Sequence, residues 1–314
     1  MTDHEFTEFD RKQKIQQIIQ QYGEDQFSIS FSGGKDSTVL SALVDLALPG
    51  NKIPRVFADT GIELNMVRWF VKKMQEKDDR VVILKPRVPI KKMLETEGYP
   101  FKSKLHSMAC ERFQLHGKTK WVRVYLREEL PSNGEPISRS NTCPDILRFQ
   151  FENGYKLRIS DKCCDRLKKD PIHEYQKAAR KPISIIGVMR SEGGRRYRSQ
   201  CLAFKGKKLK SFQPLVMVNK EWEDWFIEKH GIEICDIYKP PYNFGRTGCK
   251  GCPFTLHLQK DLEMLHKFFP AEERQAEAIW KPVYDEYRRI GYRLKPKTGQ
   301  MDIWDYQTEQ VKEN

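Results

Sequence analysis

The chain of 314 residues is 39% hydrophobic and 32% charged, which is typical of a folded protein with one large α/β domain or two smaller ones. It contains no run of about 18 apolar residues, and its first residues are polar, so we expect no membrane span, no secretory signal and a cytoplasmic location. A formal net charge of +13 favours polyanionic partners such as nucleic acid or nucleotide phosphates. The alternative is that the excess of basic residues only keeps the protein soluble.

Strands and helices alternate in the first part of the chain. Ile15, Ile18, Ile19 and Tyr22 recur at helical spacing and predict an opening amphipathic helix over residues 9–22. β-prone segments then alternate with helical ones, which predicts an α/β fold with a doubly wound parallel sheet. The predicted order is strand Phe27 to Ser32, helix Ser37 to Leu48 with Asp36 or Ser37 as its N-cap, strand Arg55 to Asp59, helix Glu63 to Glu76, and strand Arg80 to Leu84.

The middle of the chain, from about residue 99 to 181, loses this regularity and is predicted to be a helical, cysteine-containing insertion. An apolar strand returns at Pro182 to Met189, and the chain after Lys220 is mostly helical. We therefore predict a main domain over residues 1–254 and a helical C-terminal extension over residues 255–314.

A glycine-rich loop, SFSGGKDS, joins the first predicted strand to the following helix. The first N–H groups of a helix lack partners and its dipole is positive there, so this junction predicts an anion site. Two glycines let the backbone approach phosphate oxygens, the hydroxyls and the lysine add donors, and Asp36 could hold Mg²⁺. The string matches neither GxxxxGK[ST] nor GxGxxG, which argues against a kinase-like or dinucleotide site. The candidate loop residues are Ser30, Ser32, Gly33, Gly34, Lys35, Asp36 and Ser37.

This loop resembles the SGGxDS signature of the PP-loop superfamily, the adenine nucleotide alpha hydrolases. The resemblance implies that the loop holds pyrophosphate or its equivalent and that ATP is split between its α and β phosphates, with Lys35, Asp36 and Ser37 in catalysis. A ready-made adenylated substrate, such as phosphoadenylyl sulfate (PAPS), is the other implied ligand. The Asp59-Thr60-Gly61 turn is similar to the DTG element of the PAPS reductase branch, which implies that Asp59 and Thr60 bind the nucleotide.

A basic segment, GVMRSEGGRRYR, follows the apolar strand at Pro182 to Met189. It is similar to the GxR…R segment of the same family, which implies that Arg190 and Arg196 hold the phosphates or sulfate of the substrate. A solvated loop between two strands is the alternative interpretation. The lysine-rich run Lys205 to Lys210 is interpreted as solvated charge or a nucleic-acid patch.

Four of the eight cysteines have a spacing typical of ligands. Cys249 and Cys252 form a CxxC pair on a glycine-bounded turn, which aims two thiolates at one centre, as zinc and iron–sulfur sites require. The adjacent Cys163 and Cys164 diverge, which suits a cluster of separate irons better than one ion. The segments CCDRLKKDPI and FGRTGCKGCPF also resemble the [4Fe–4S] site of adenylyl-sulfate reductases, with Leu167 standing where those enzymes usually have arginine. The expected centre is a [4Fe–4S] cluster, with structural Zn²⁺ as the alternative.

The sequence departs from the assimilatory reductases at its C-terminal end. Those enzymes carry a nucleophilic cysteine in a C-terminal tail, whereas Cys252 is the last cysteine here. Reduction therefore has no evident thiolate donor, unless Cys110 or Cys143 provides it. Cys201 and Cys235 are interpreted as core thiols.

We therefore expect an ATP pyrophosphatase and sulfurtransferase, which adenylates an oxygen of its substrate, releases pyrophosphate and lets a sulfur nucleophile displace AMP. The resemblance includes the sulfurtransferases that phosphorothioate DNA and, more distantly, tRNA thiolases, so nucleic acid is the expected substrate. A cysteine desulfurase is left open as the sulfur donor, and so is a homo-oligomeric state. The alternatives are a PAPS or adenylyl-sulfate reductase that releases sulfite, and a non-catalytic nucleotide-binding subunit of a modification or defence complex.

Overall fold

The computed structural model describes residues 1–296, so the last part of the predicted 255–314 extension lies outside the described residues. Contacts divide the chain into two compact units. We call Met1–Arg87 with Leu167–Gly248 the sheet unit, and Val88–Arg166 with Cys249–Asn314 the helical unit. The predicted domain boundary at residue 254 stays a prediction. Within residues 1–296, no helix combines the length and the apolar character that crossing a membrane requires.

Ten helices and six strands are numbered here in chain order over the described residues. They are α1 (Asp3–Tyr22), β1 (Phe27–Ser30), α2 (Lys35–Ala47), β2 (Arg55–Ala58), α3 (Asn65–Lys77), β3 (Val81–Leu84), α4 (Ile90–Glu97), α5 (Lys104–His116), α6 (Lys120–Tyr125), α7 (Asp170–Ala178), β4 (Ile183–Ile185), β5 (Leu202–Lys205), β6 (Lys208–Phe212), α8 (Lys220–His230), α9 (Leu258–Phe268) and α10 (Pro270–Arg289).

The sheet unit is built on one six-stranded sheet with the order β3-β2-β1-β4-β6-β5. In this order the first five strands, β3, β2, β1, β4 and β6, run parallel to their neighbours. The edge strand β5 is antiparallel to β6. The chain moves from β1 outwards through β2 to β3 and then returns to the other side of β1 at β4. The strand order therefore reverses beside β1, which is where open α/β sheets bind their ligands.

Helices cover both faces of this sheet. Phe27 and Ile29 of β1 are fully buried in one apolar cluster with residues of α1, α2 and α8. Ser28 points to the opposite face, where Gln176 of α7 donates to its hydroxyl at 3.2 Å. Side chains alternate along a strand, so α2 and α7 lie on opposite faces. The predicted doubly wound α/β fold is confirmed.

Three local predictions require correction. Helix α2 begins at Lys35 with Gly34 as its N-cap, two residues before the predicted start, so neither Asp36 nor Ser37 is the cap. Strand β4 ends at Ile185 rather than Met189, because the backbone then bends into a tight turn in which the Val188 N–H donates to the Ile186 carbonyl. The lysine-rich run was not predicted as strand, yet it forms the β5–β6 hairpin.

Candidate functional site

The glycine-rich loop connects the carboxyl end of β1 to the first turn of α2, and its own serines hold it in place. The Ser32 N–H donates to Ser37 Oγ at 3.1 Å, and the two hydroxyls lie 3.0 Å apart. Ser37 Oγ in turn donates to the Gly34 carbonyl at 2.9 Å. These bonds hold the loop against the start of α2, where the first N–H groups of a helix lack carbonyl partners within the helix and can bind an anion.

Two glycines make this geometry possible. Gly33 has φ +67°, and a Cβ there would lie 2.6 Å from Val71 Cγ2 and 2.9 Å from Val67 Cγ1 of α3. At Gly187, just beyond β4, a Cβ would lie 3.0 Å from the Asp36 carbonyl oxygen. The absence of side chains lets the loop turn against α3 and lets the backbone after β4 approach the start of α2.

A cavity of about 830 Å³ opens beside the loop and is lined entirely by the sheet unit. Six of the loop residues predicted from the sequence line it, and so does Arg196. The remaining wall comes from the segment after β4, from the start of α8, and from Tyr238 and residues 243–247. The predicted residues in the lining are Ser30, Ser32, Gly34, Lys35, Asp36, Ser37 and Arg196.

Lys35 is held between two acids of α8. Its ammonium group lies 3.4 Å from Glu223 Oε2 and also pairs with Asp224. Burial opposes the charged form, but the hydrogen bond to Asp224 and the charge of Glu223 together raise the pKa of Lys35 above its ordinary value. The lysine is therefore fully charged at neutral pH and lies beside the cavity.

Glu223 is the functional candidate that the sequence analysis missed. Its side chain is 4% exposed, and its Oε1 has no hydrogen-bond partner among the described residues. Burial and the neighbouring carboxylate of Asp36 raise the pKa of Glu223 to about 7, against the lowering effect of Lys35. A buried carboxylate with an unsatisfied oxygen beside a second carboxylate fits a divalent cation with oxygen ligands, such as Mg²⁺. The sequence carried no local signal for this role, because Glu223 reads as one polar residue of an amphipathic helix.

Two further cavity residues come from the segment before the CxxC motif. The hydroxyls of Tyr238 and Thr247 form a hydrogen bond of 2.7 Å, and burial raises the pKa of Tyr238 to about 12. Arg246 also lines the cavity. Burial and the charge of Arg246 lower the pKa of Arg196, whereas Asp36 raises it. Two guanidinium groups therefore share this wall, as an oxyanion site would use them.

The other predicted nucleotide ligands have protein partners in the structure. Asp59 forms a two-point ion pair with Arg68 at 2.8 and 2.9 Å, and Thr60 hydrogen-bonds to Glu63 at 2.8 Å. Arg190 donates from Nε to the Ser199 carbonyl at 2.8 Å. Neither these three nor Gly33 is among the residues lining the cavity, and their contact with a nucleotide stays a prediction.

The four predicted ligand cysteines all belong to the helical unit. Cys163 is buried, and the other three are partly exposed. The pKa of the Cys163 thiol lies well above its ordinary value, because of a hydrogen bond with Cys164, burial, and the nearby thiols of Cys249 and Cys252. The two sequence motifs are therefore close together in the fold. Within residues 1–296, no group of three or more histidine, cysteine or acidic side chains is arranged to hold a single metal ion.

Helix α10 supports the CxxC turn through its buried side chains. Trp280 Nε1 donates to the Lys250 carbonyl at 3.0 Å, and the Tyr284 hydroxyl donates to the Gly251 carbonyl. The Lys250 ammonium is itself buried and pairs with Glu272 at 2.8 Å. The turn between Cys249 and Cys252 is thus fixed by donors that satisfy its carbonyls, which fits a ligand loop.

Cys110 and Cys143 are buried in the helical unit, with exposed fractions of 0% and 1%. Cys110 Sγ lies 3.4 Å from Nε2 of His106. Burial raises the pKa of Cys143 to about 12 and that of Cys110 well above its ordinary value. Burial also lowers the pKa of His106 to about 3, so this imidazole is neutral and does not stabilise a thiolate.

Comparisons with known proteins identify one matching family. The profile of the phosphoadenosine phosphosulfate reductase domain matches residues 26–130 and 137–291. No curated protein sequence matches the chain.

Three solved structures are similar at 12% sequence identity. A PAPS reductase from Candida auris in a phosphate complex covers 71% of this chain and 82% of its own, with a TM-score of 0.39. The match to an NH3-dependent NAD synthetase from Campylobacter jejuni covers 94% of this chain and 99% of the synthetase, with a TM-score of 0.39. The match to a U34-tRNA thiolase from Methanococcus maripaludis with its [4Fe-4S] cluster covers 89% of this chain and 80% of the thiolase, with a TM-score of 0.35.

Proposed function

The chain belongs to the phosphoadenosine phosphosulfate reductase domain family, and on that premise we propose that it is an ATP-dependent sulfurtransferase that modifies nucleic acid. The cavity beside the glycine-rich loop carries the proposal. It combines the start of α2 with Lys35 and Asp36, and with the guanidinium groups of Arg196 and Arg246. This is a binding site for a chain of phosphates rather than for an apolar ligand.

The reaction follows from the charges around the cavity. An oxygen of the nucleic acid attacks the α-phosphorus of ATP, and pyrophosphate leaves with the electron pair of the α–β bridging bond. The N–H groups at the start of α2 and the Lys35 ammonium stabilise the negative charge that builds on pyrophosphate, a contribution worth several kcal/mol in comparable sites. A thiol then reduces the persulfide of a donor such as a cysteine desulfurase and becomes a disulfide, and the hydrosulfide that is released attacks the activated atom. AMP leaves with the electron pair of the bond between that atom and the adenylated oxygen.

Asp36 and Glu223 are the residues that would hold Mg²⁺. The unpartnered Oε1 of Glu223 and its proximity to Asp36 support this assignment. A bound Mg²⁺ would supply positive charge to the phosphates. Glu223 also holds Lys35 in place at the mouth of the loop.

Cys163, Cys164, Cys249 and Cys252 are the residues that would hold a [4Fe–4S] cluster. Adjacent cysteine side chains diverge, and within the described residues no three ligand side chains are arranged around a single ion, so a cluster with separate irons fits this set better than Zn²⁺ does. A bound cluster would supply iron with affinity for sulfide, or would stabilise the helical unit. The bonds from α10 hold the Cys249–Cys252 turn in position.

Reduction of PAPS is the competing function within the family, and the cysteines argue against it. A reductase needs a thiolate that attacks the sulfate sulfur. Cys110 and Cys143 are buried and their pKa values are raised, which is the opposite of an activated thiol.

The test is an anaerobic preparation assayed for three products. We expect AMP and pyrophosphate from ATP, with release increased by nucleic acid, and no sulfite from PAPS in the presence of thioredoxin or glutathione. Asp36→Ala should abolish release. Sulfite from PAPS, or a protein that binds ATP without cleaving it under any of these conditions, contradicts the proposal.

The cluster assignment has its own measurement. Cys249→Ser should remove the visible absorbance at about 400 nm that thiolate-ligated iron–sulfur clusters show. Cys235→Ser, which changes a core thiol outside the ligand set, should keep this absorbance. Unchanged absorbance in Cys249→Ser would show that the ligands lie elsewhere.

A further inference from the structure

The β5–β6 hairpin carries positive charge that the fold does not neutralise. Lys205 of β5 lies directly opposite Lys208 of β6, and like charges in that position destabilise a sheet. Both lysines are exposed, as is Lys210. Within the part of the chain that the structure describes, none of the three forms an ion pair with a carboxylate. An uncompensated cost of this kind points to an anionic ligand.

Protection of the sheet edge accounts at most for Lys205 of the edge strand β5, and not for Lys208 and Lys210 of β6. Lysines on an edge strand do prevent unwanted pairing with other chains. However, β6 is an interior strand, paired with β4 on one side and with β5 on the other. Lys210 also lies at the register shift, because Leu209 pairs with Phe204 and Ser211 pairs with Ala203. Such a bulge re-aims a side chain.

Two exposed aromatic residues accompany the cations. Tyr197 is 72% exposed and Phe204 is 53% exposed, although aromatic residues of this size usually bury most of their surface. Tyr197 directly follows Arg196, which lines the cavity, and is followed by the exposed Arg198. Aromatic and basic groups therefore begin at the cavity wall and continue on both faces of the hairpin, because Phe204 pairs with Leu209 on one face and Lys205 pairs with Lys208 on the other. The hairpin surface is defined as Tyr197, Arg198, Phe204, Lys205, Lys208 and Lys210.

We propose that the hairpin surface binds single-stranded DNA and guides its backbone to the cavity beside the glycine-rich loop. The lysines contact phosphates, and the two aromatic rings stack on unpaired bases, which a duplex does not offer. The hairpin itself, residues 202–212, contains no carboxylate or amide side chain, and Ser211 is its one side chain that can accept a hydrogen bond from a ribose 2′-hydroxyl, so the hairpin offers little that would favour RNA over DNA. This proposal rests on the proposed function, because the cavity is where the bound strand would be modified.

The first test measures the binding of a fluorescent single-stranded DNA of about 20 nucleotides, a length that exceeds common single-strand sites, to the full-length protein between about 50 and 200 mM salt. The triple variant Lys205→Ala/Lys208→Ala/Lys210→Ala should bind at least tenfold more weakly at the lower salt. Its slope of log K against log salt should fall by about 2, since each phosphate contact to a single strand contributes roughly 0.7.

The matched control removes the same charge elsewhere on the sheet unit. Lys52, Lys72 and Lys177 are exposed and form no ion pair with a carboxylate of residues 1–296. Their triple alanine variant should bind DNA with an unchanged slope. Equal weakening by both triple variants would show a general charge effect and would overturn the proposal, and so would unchanged binding by the hairpin variant.

The second test separates single strands from duplexes. Tyr197→Ala/Phe204→Ala should weaken single-strand binding by about thirtyfold or more without changing the salt slope, as expected for the loss of two stacking rings. Trp69→Ala, which removes a ring that is 64% exposed on α3, should leave binding unchanged. Duplex DNA of the same sequence should bind more weakly than the single strand. Equal or tighter duplex binding, or tighter binding of the matching RNA, would overturn the choice of ligand.

The two proposals fail separately. A wild-type protein that binds single-stranded DNA through the hairpin but releases neither AMP nor pyrophosphate contradicts the proposed function alone. A protein that releases both products and binds DNA equally well without the hairpin lysines contradicts the hairpin proposal alone.

Discussion

Gly33 occupies a position in the phosphate loop that an L-residue could take only with strain and a clash. Its φ is +67°, and a methyl group at this position would collide with the side chains of Val71 and Val67. Gly50 offers a useful contrast, since its φ is +76° and its surroundings are open. Strain and clash can therefore be separated by substituting each glycine in turn.

We predict that Gly33→Ala lowers the free energy of unfolding by about 2 to 3 kcal/mol, because it adds a clash to the backbone strain. Gly50→Ala should cost only the strain, about 1 kcal/mol. Urea unfolding of both variants measures the difference. Equal losses would contradict the assigned clash.

Glu223 predicts an unusual dependence of stability on pH. Its pKa is raised to about 7 in the folded protein, so the folded state binds more protons than the unfolded state between about pH 4.5 and pH 7. The contribution of this group to stability is therefore present below about pH 4.5 and is lost as the pH rises through 7. Above that range the buried carboxylate opposes folding.

We predict that Glu223→Gln is more stable than the wild type at about pH 8, by at most about 3 kcal/mol, and that the difference shrinks at about pH 5. Urea unfolding without divalent cations at the two pH values measures it. A Gln variant that is less stable at the higher pH would mean that the pair with Lys35 outweighs the burial of the carboxylate. The same variant should lose Mg²⁺-dependent ATP cleavage.

At the scale of elements, the sequence predicted those segments whose periodicity is local. Helices α8 and α10 lie in the segment after Lys220 that was predicted to be mostly helical, and β1 to β3 match their predicted positions within a few residues. The β5–β6 hairpin was missed because its exposed lysines dominated the pattern, although the alternation of Lys208, Leu209 and Lys210 was a usable strand signal. The position of α8 beside the loop could not be predicted, because it depends on packing between distant segments.

Helix α10 gives the element-scale prediction. Tyr284→Phe removes the donor to the Gly251 carbonyl and leaves that buried group unsatisfied, which should cost about 1 to 3 kcal/mol. Tyr292→Phe is the control, since the hydroxyl of Tyr292 makes no hydrogen bond within residues 1–296. We expect lower thermal stability and lower iron content in Tyr284→Phe alone. Full iron content in that variant would contradict a supporting role of α10 for the ligand turn.

For the whole molecule, the family and the fold were predicted from one short motif and from the alternation of strands and helices, and both are confirmed. The motif succeeds because backbone geometry at a strand–loop–helix junction depends on few residues. The rest of the cavity lining was only partly predicted. Arg196 followed from a family segment, whereas Glu223, Tyr238 and Arg246 reach the site through tertiary packing that no local pattern encodes.

Calorimetric titration of Mg²⁺-ATP into the wild-type protein, with Asp36→Ala in parallel, tests the central claim most directly. If the loop at the start of α2 holds the phosphates of an adenine nucleotide, the wild type binds one equivalent per chain, and the variant loses the affinity while keeping its fold by circular dichroism. Absence of binding for both ATP and PAPS to the folded wild type, or full affinity in Asp36→Ala, would contradict the account.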